Sequence, residues 1–385
     1  MKKIICVFAI IILIILPSRV VGNSEDIDQE TIEEQQEEFK IQNFIKNANE
    51  YTGEFFEDID VNKILNDAIQ GRIDNSTLLK RIWNLFGKEV KSGINAIVSV
   101  LVVVVIHSIL KSISDSLEDN GISKLIYYVQ YILIITIIMN NFSDIVQMVK
   151  DTTTNLVAFM NMLVPLLVSL MLYTGNITTS GLLEPIILFM INFIGNIIQN
   201  LIIPFVFILV SFIIISKLTD RVQINKIAKK MKSSIVWLLG IILTVFVGVV
   251  SLEGTLSSSV DGITAKTAKS MVTSVIPVVG KILGDAVDTV LGCGIILKNA
   301  IGIVGVIIIL GICIMPIIKL TILTFSYKLL SSVCEPIADS KVVDLLEQIG
   351  DIFKILLAIL SAISAMLIIG TALVVKISNS GMMYR

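Results

Sequence analysis

Histidine is almost missing from these 385 residues: His107 is the single one. One imidazole excludes a multi-histidine metal site and leaves a single slot for a nucleophilic triad. A lone histidine in an apolar helix more often bonds a neighbouring helix than performs catalysis. Cysteine is scarce as well. Cys6, Cys293, Cys313 and Cys334 form no C-x-x-C pair, and the last three lie in or beside apolar runs, so they read as small buried hydrophobes. Charge is thin at 16% of residues, where a soluble domain carries roughly 25%. The net charge of −2 offers no basic excess to neutralise phosphates, which argues against a nucleic-acid partner. Phosphate-cradling and hydrolase motifs are absent. Neither Gly87-Lys88 nor Gly280-Lys281 is followed by Ser or Thr, and there is no G-x-S-x-G or H-E-x-x-H. The chain is therefore expected not to be an enzyme and to need no cofactor.

What is abundant is hydrocarbon. Hydrophobic residues make up 55% and the mean hydropathy is +0.88, so lipid is the expected main solvent. The fold class expected is all-α: a polytopic membrane protein with seven to nine spans behind a signal peptide. Residues 1–22 carry the signal features: Lys2 and Lys3, the apolar stretch Ile4 to Leu16, then Pro17 and the small residues Val20 and Gly22. That apolar stretch is short for a span of roughly 20 residues, which favours cleavage over an uncleaved anchor. Residues 23–93 form an acidic segment with sixteen acidic and eight basic side chains. Within it Val61, Ile64, Leu65 and Ala68 recur at helical spacing, as do Leu78, Ile82, Leu85 and Phe86. These amphipathic helices can bind a partner or lie on lipid headgroups, and both readings stay open.

Residues 94–250 hold a first transmembrane bundle, with apolar runs at Ile94 to Ile113, Leu125 to Met139, Leu156 to Tyr173, Leu182 to Leu218 and Ser233 to Val250. The run from Leu182 to Leu218 would reach about 55 Å as one helix, so Gly195, Asn196, Gln199 and Asn200 are read as a tight turn between two spans. Residues 251–294 are richer in Gly, Ser and Thr and form an interfacial or re-entrant block. Residues 295–375 form a second bundle, and 376–385 a C-terminal tail. The stretch from Lys217 to Lys232 has six basic residues against Asp220 alone, which assigns it to the cytoplasm. Counting back five spans puts the acidic segment outside, and a total of nine puts the tail inside. Pro165 and Pro277 stand 112 residues apart, as do Pro204 and Pro316. That spacing raises the possibility of inverted repeats, a transporter signature.

Candidate conduit or packing residues follow from cost. A lysine at mid-bilayer is unfavourable by roughly 2.5–3.5 kcal/mol on insertion scales, so one inside an apolar run needs a reason to be there. Lys319, close to Pro316 in a long apolar run, is the leading candidate, with Glu184, Asn192, Asn196 and Asn200 behind it. Gly280 and Gly284 form a small-xxx-small face. Asp285 and Asp288 lie one turn apart, with Lys298 and Asn299 following. The block around Gly280 to Asn299 reads as a re-entrant or pore-lining element or as an interfacial loop whose charges face water. Lys319, Glu184 and the asparagines read equally as functional polar groups or as interhelical glue.

The block Pro277-Val278-Val279-Gly280, Asp285-Ala286, Gly292 and Leu297-Lys298-Asn299-Ala300, in the order signal, acidic segment, spans and Gly-rich block, resembles the stage III sporulation protein AE family. Lys281 departs from the small residue expected there. The resemblance implies a subunit of a channel or feeding complex in the mother-cell membrane around the engulfed forespore, needed for spore formation. It also implies partners: companion stage III proteins including ring subunits and a secretion-type ATPase, and indirectly the forespore's stage II protein Q. A secondary transporter and a purely structural scaffold are the alternatives.

Overall fold

The computed structural model describes residues 29–52, 61–71, 75–116, 120–218, 222–275 and 279–380. The signal region lies outside these residues, as do the side chains of His107, Asp285 and Asp288 and the surroundings of Gly280 and Gly284. The described elements are all helical: α1 (Gln29–Glu38), α2 (Ile41–Thr52), α3 (Val61–Ile69), α4 (Asn75–Ser116), α5 (Asn120–Tyr173), α6 (Ile177–Ile197), a π-helical segment (Ile198–Ile202), α7 (Ile203–Leu218), α8 (Val222–Val275), α9 (Val279–Cys334) and α10 (Ser340–Ser380). Five stretches are long and apolar enough to cross a membrane: Tyr128–Tyr173, Ile177–Lys217, Lys226–Gly254, Thr289–Cys334 and Ser340–Lys376. Ile97–Leu110 in α4 is a shorter apolar stretch.

Among the described residues five long apolar stretches appear, which leaves the seven to nine spans expected unconfirmed; runs that the sequence separates are joined. Leu125–Met139 and Leu156–Tyr173 are both parts of α5. The polar residues between them lie within the helix, where the threonine hydroxyls are satisfied by carbonyls one turn back. Thr152, Thr153 and Thr154 donate to the carbonyls of Met148, Val149 and Lys150 at 2.7, 2.8 and 3.0 Å. The tight turn expected at 195–200 is corrected in the same way. The chain passes from α6 to α7 through the π-helical segment, where the Ile203 N–H donates to the Ile198 carbonyl. Pro204 accounts for the widening: it lacks an N–H and its ring crowds the carbonyl four residues back. Gly195 serves packing instead of turning, since a Cβ there would sit 2.7 Å from Val157 Cγ2.

The long hairpin α9–α10 forms the centre, and α5, α8 and the α6–α7 helix pack around it. Ion pairs fix the direction of each helix. Lys217, ending α7, holds Asp344 at 3.0 Å near the start of α10. Asp351 of α10 takes Lys232 of α8 at 3.3 Å and Lys328 of α9 at 2.8 Å. Tyr131, early in α5, donates to the Ile214 carbonyl at 2.7 Å. The α7–α8 and α9–α10 connections therefore share one end of the bundle, here called the lower end.

Two expectations change. The hairpins built on Pro204 and Pro316 run in the same sense, down and then up, so residues 164–250 and 276–375 are not related by inversion. The last described turn of α10 lies at the upper end, opposite the basic connection, and not beside it as nine spans would require. The amphipathic N-terminal helices find their apolar partner within the chain. Ile32, Ile41, Phe44, Ile45, Val61 and Leu65 are buried. Gln35 Nε2 donates to the Val290 carbonyl at 3.2 Å, Phe39 meets Tyr173 edge-on, and Phe44 lies 6.0 Å from Phe159.

Candidate functional site

A pocket of about 160 Å³ opens where α4, α5 and α9 meet, with room for several waters at roughly 30 Å³ each. Each helix contributes residues one turn apart. Glu89 and Gly93 come from α4, Asn141, Asp144 and Ile145 from α5, and Lys319, Ile322 and Leu323 from α9. Helical spacing of three and four puts such residues on one face. Gly93 allows the close approach, because a Cβ there would lie 2.5 Å from Ile322 Cγ2.

Lys319 thus sits inside the apolar body in a pocket holding two carboxylates and an amide. It is half-buried, and among the described residues it makes no ion pair within 4.0 Å. Its pocket is rich in acceptors, with one ammonium against two carboxylates. Such a lining can hold water, bind a small cation or pass a proton between carboxylates. An aromatic layer lies toward the core. Tyr327 packs 5.2 Å from Phe353, which lies 6.4 Å from Phe142, itself 5.4 Å from Phe207. The Tyr327 hydroxyl is buried without a hydrogen-bond partner among the described residues.

Other residues singled out by the sequence do not join this pocket. Pro316 is buried within α9, which continues past it. Among the described residues Lys298 is the lysine with 0% exposure, with Asn299 half-buried beside it. On the Lys298 face, Gly294 packs against Tyr173 and Thr174, and Gly302 against Val375. Close helix approach thus occurs along this face, while the surroundings of Gly280 and Gly284 lie outside the described residues. Glu184 lies apart on α6, where Asn192 and Asn196 also sit, with Asn200 in the π-helical segment that follows. Glu89 and Asp144 escaped the sequence reading because each lies in a polar stretch flanking a span. Only the packing of three distant helices brings them to Lys319.

No solved structure matches this chain. Stage III sporulation protein AE of Bacillus subtilis (strain 168) is 28% identical over 307 residues, covering 80% of this chain and 77% of that protein. The profile of the family described as stage III sporulation protein AE matches residues 59–378, which include α3 to α9 and nearly all of α10. The resemblance read from the Gly-rich block extends along the body, and the chain belongs to the stage III sporulation protein AE family.

Proposed function

We propose that this protein is a polytopic membrane subunit of the mother-cell-to-forespore channel complex that endospore formation requires after engulfment. The observation that carries this reading is the family match over residues 59–378. It fits a body with five long apolar helices and a polar pocket at a seam between helices. The subunit acts as membrane-embedded structure or conduit, without a catalytic set of its own. Its N-terminal helices, packed away from the basic connection, lie on the extracytoplasmic side. There they are within reach of ring subunits and, through them, of the forespore's stage II protein Q. Energy comes from a secretion-type ATPase on another chain. The transporter alternative loses its main support, because the two hairpins run in the same sense.

The test is deletion of the gene in the source bacterium, scored by heat-resistant spores. Arrest after engulfment is the expected outcome, restored by the intact gene supplied in trans. Normal spore counts would end the reading.

A further inference from the structure

The outer surface is apolar along the middle of α8, while lower on α5 Asn140, Ser143, Asp144, Gln147, Asp151 and Thr154 are exposed. On α8 it presents Val236, Trp237, Ile241 and Val245. The seam between α5 and α6–α7 is different. Asn161 of α5 and Asn192 of α6 exchange two amide hydrogen bonds, at 3.1 and 2.9 Å. Gln199 donates to Thr154 Oγ1 at 3.0 Å, and Asn200 to Asn196 Oδ1 at 3.1 Å. Asn161, Asn192, Asn196 and Asn200 are all exposed. Phe189 and Phe193, stacked on each other and 65% and 49% exposed, lie on the same face of α6.

These amides stand in the middle of the 41-residue stretch Ile177–Lys217. A crossing needs roughly 20 residues, and every window of that length within the stretch contains at least two of Asn192, Asn196, Gln199 and Asn200. No placement of the bilayer on this helix leaves the ladder out. Each amide has two donors and two acceptor sites. Asn192 gives its second N–H to the Leu188 carbonyl at 2.8 Å and keeps acceptor capacity only. The bonds above use one donor each of Asn161, Gln199 and Asn200 and none of Asn196. Lipid tails can satisfy neither donors nor acceptors.

We infer that this ladder is a self-association surface, and that a second copy of this chain covers it. All copies insert in one direction, so across a two-fold axis along the membrane normal each residue meets its own counterpart at the same depth. Only a group that both donates and accepts is satisfied by its own image. Asparagine and glutamine have that property, as in the single Asn that pairs across coiled-coil dimers. The stacked phenylalanines add an apolar anchor beside the amides. Asp151, which accepts from Gln147 at 2.8 Å, is an exposed charge on α5 one turn below Thr154. Like charges repel, so it marks the lower limit of close contact.

The test uses the full chain in bacterial membranes, with Asn192→Cys and Asn196→Cys as probes and Val245→Cys on α8 as the control. Membranes are oxidised with copper phenanthroline and run on a non-reducing gel beside the unsubstituted chain, which sets the background of the native cysteines. Expected is a reducible dimer band for both asparagine positions, lost for Val245→Cys. Dimer of equal strength at all three positions would overturn the proposal. So would monomer at both probes, whether or not a membrane-impermeant maleimide labels them: labelling would mean a water-lined face, and protection a face covered by lipid. An adduct of another mass would also overturn it, by identifying a different partner.

Discussion

Two groups of charges in this protein use the same residue types for different ends. At the lower end every cation of the clasp has a carboxylate: Lys217 on Asp344, Lys232 and Lys328 on Asp351, at 2.8 to 3.3 Å. These pairs tie α7, α8, α9 and α10 together. Around Lys319 the ingredients are again one lysine and aspartate or glutamate, yet they line a pocket without closing on each other. Matched charges spend their interactions on holding helices in register. Charges kept apart by a water-sized space remain available to something that enters it. Fold and site are thus separable in this molecule, and substitutions should separate them.

The largest effect expected is from Gly93→Leu, which blurs the difference by damaging both. The side chain would overlap Ile322 and push α4 from α9, costing about 1–3 kcal/mol as overpacking does. It should lower the melting temperature of detergent-solubilised protein and abolish heat-resistant spores. Asp351→Ala comes next and attacks the clasp alone. Removing one partner of a fully buried pair costs roughly 3–5 kcal/mol, but Asp351 and Lys328 are partly exposed and screened, so about 1 kcal/mol is expected. A melting temperature below that of the intact chain is the readout, and no change would mean that the clasp contributes nothing to stability. Lys319→Leu should have the smallest effect on stability, because no ion pair is broken. Melting temperature and membrane abundance stay unchanged while heat-resistant spores are lost; normal sporulation would remove Lys319 from the site.

Much of the architecture was legible in the sequence because hydropathy reports directly on lipid exposure. Runs such as Ile295 to Leu330 leave little choice but a membrane helix. What misled was punctuation. Gly195 and its amide neighbours look like a turn, yet the glycine packs on Val157 and the amides bond along the helix surface. Proline spacing misled too, since a distance of 112 residues carries no information about direction. Direction came from Lys217 and Asp344, whose pairing no local pattern announces. For the site, Lys319 stood out by its cost in an apolar run. Its companions Glu89 and Asp144 lie in ordinary polar stretches and acquire meaning only by convergence.

The unbroken length of α5 and α9 has a mechanical consequence. Each apolar stretch of 46 residues is a rod of about 69 Å, against a bilayer of roughly 40–45 Å including headgroups. Even at a tilt of about 40°, near the limit for such helices, the rod overreaches the membrane. With no loop along its length to absorb strain, it behaves as a lever: pivoting it by about 5° at the clasp sweeps the far end through about 6 Å. A push on one end of such a rod is carried toward the other side of the membrane, and Pro165 in α5, Pro316 in α9 and the π-helical segment of α6–α7 mark where the rods can yield.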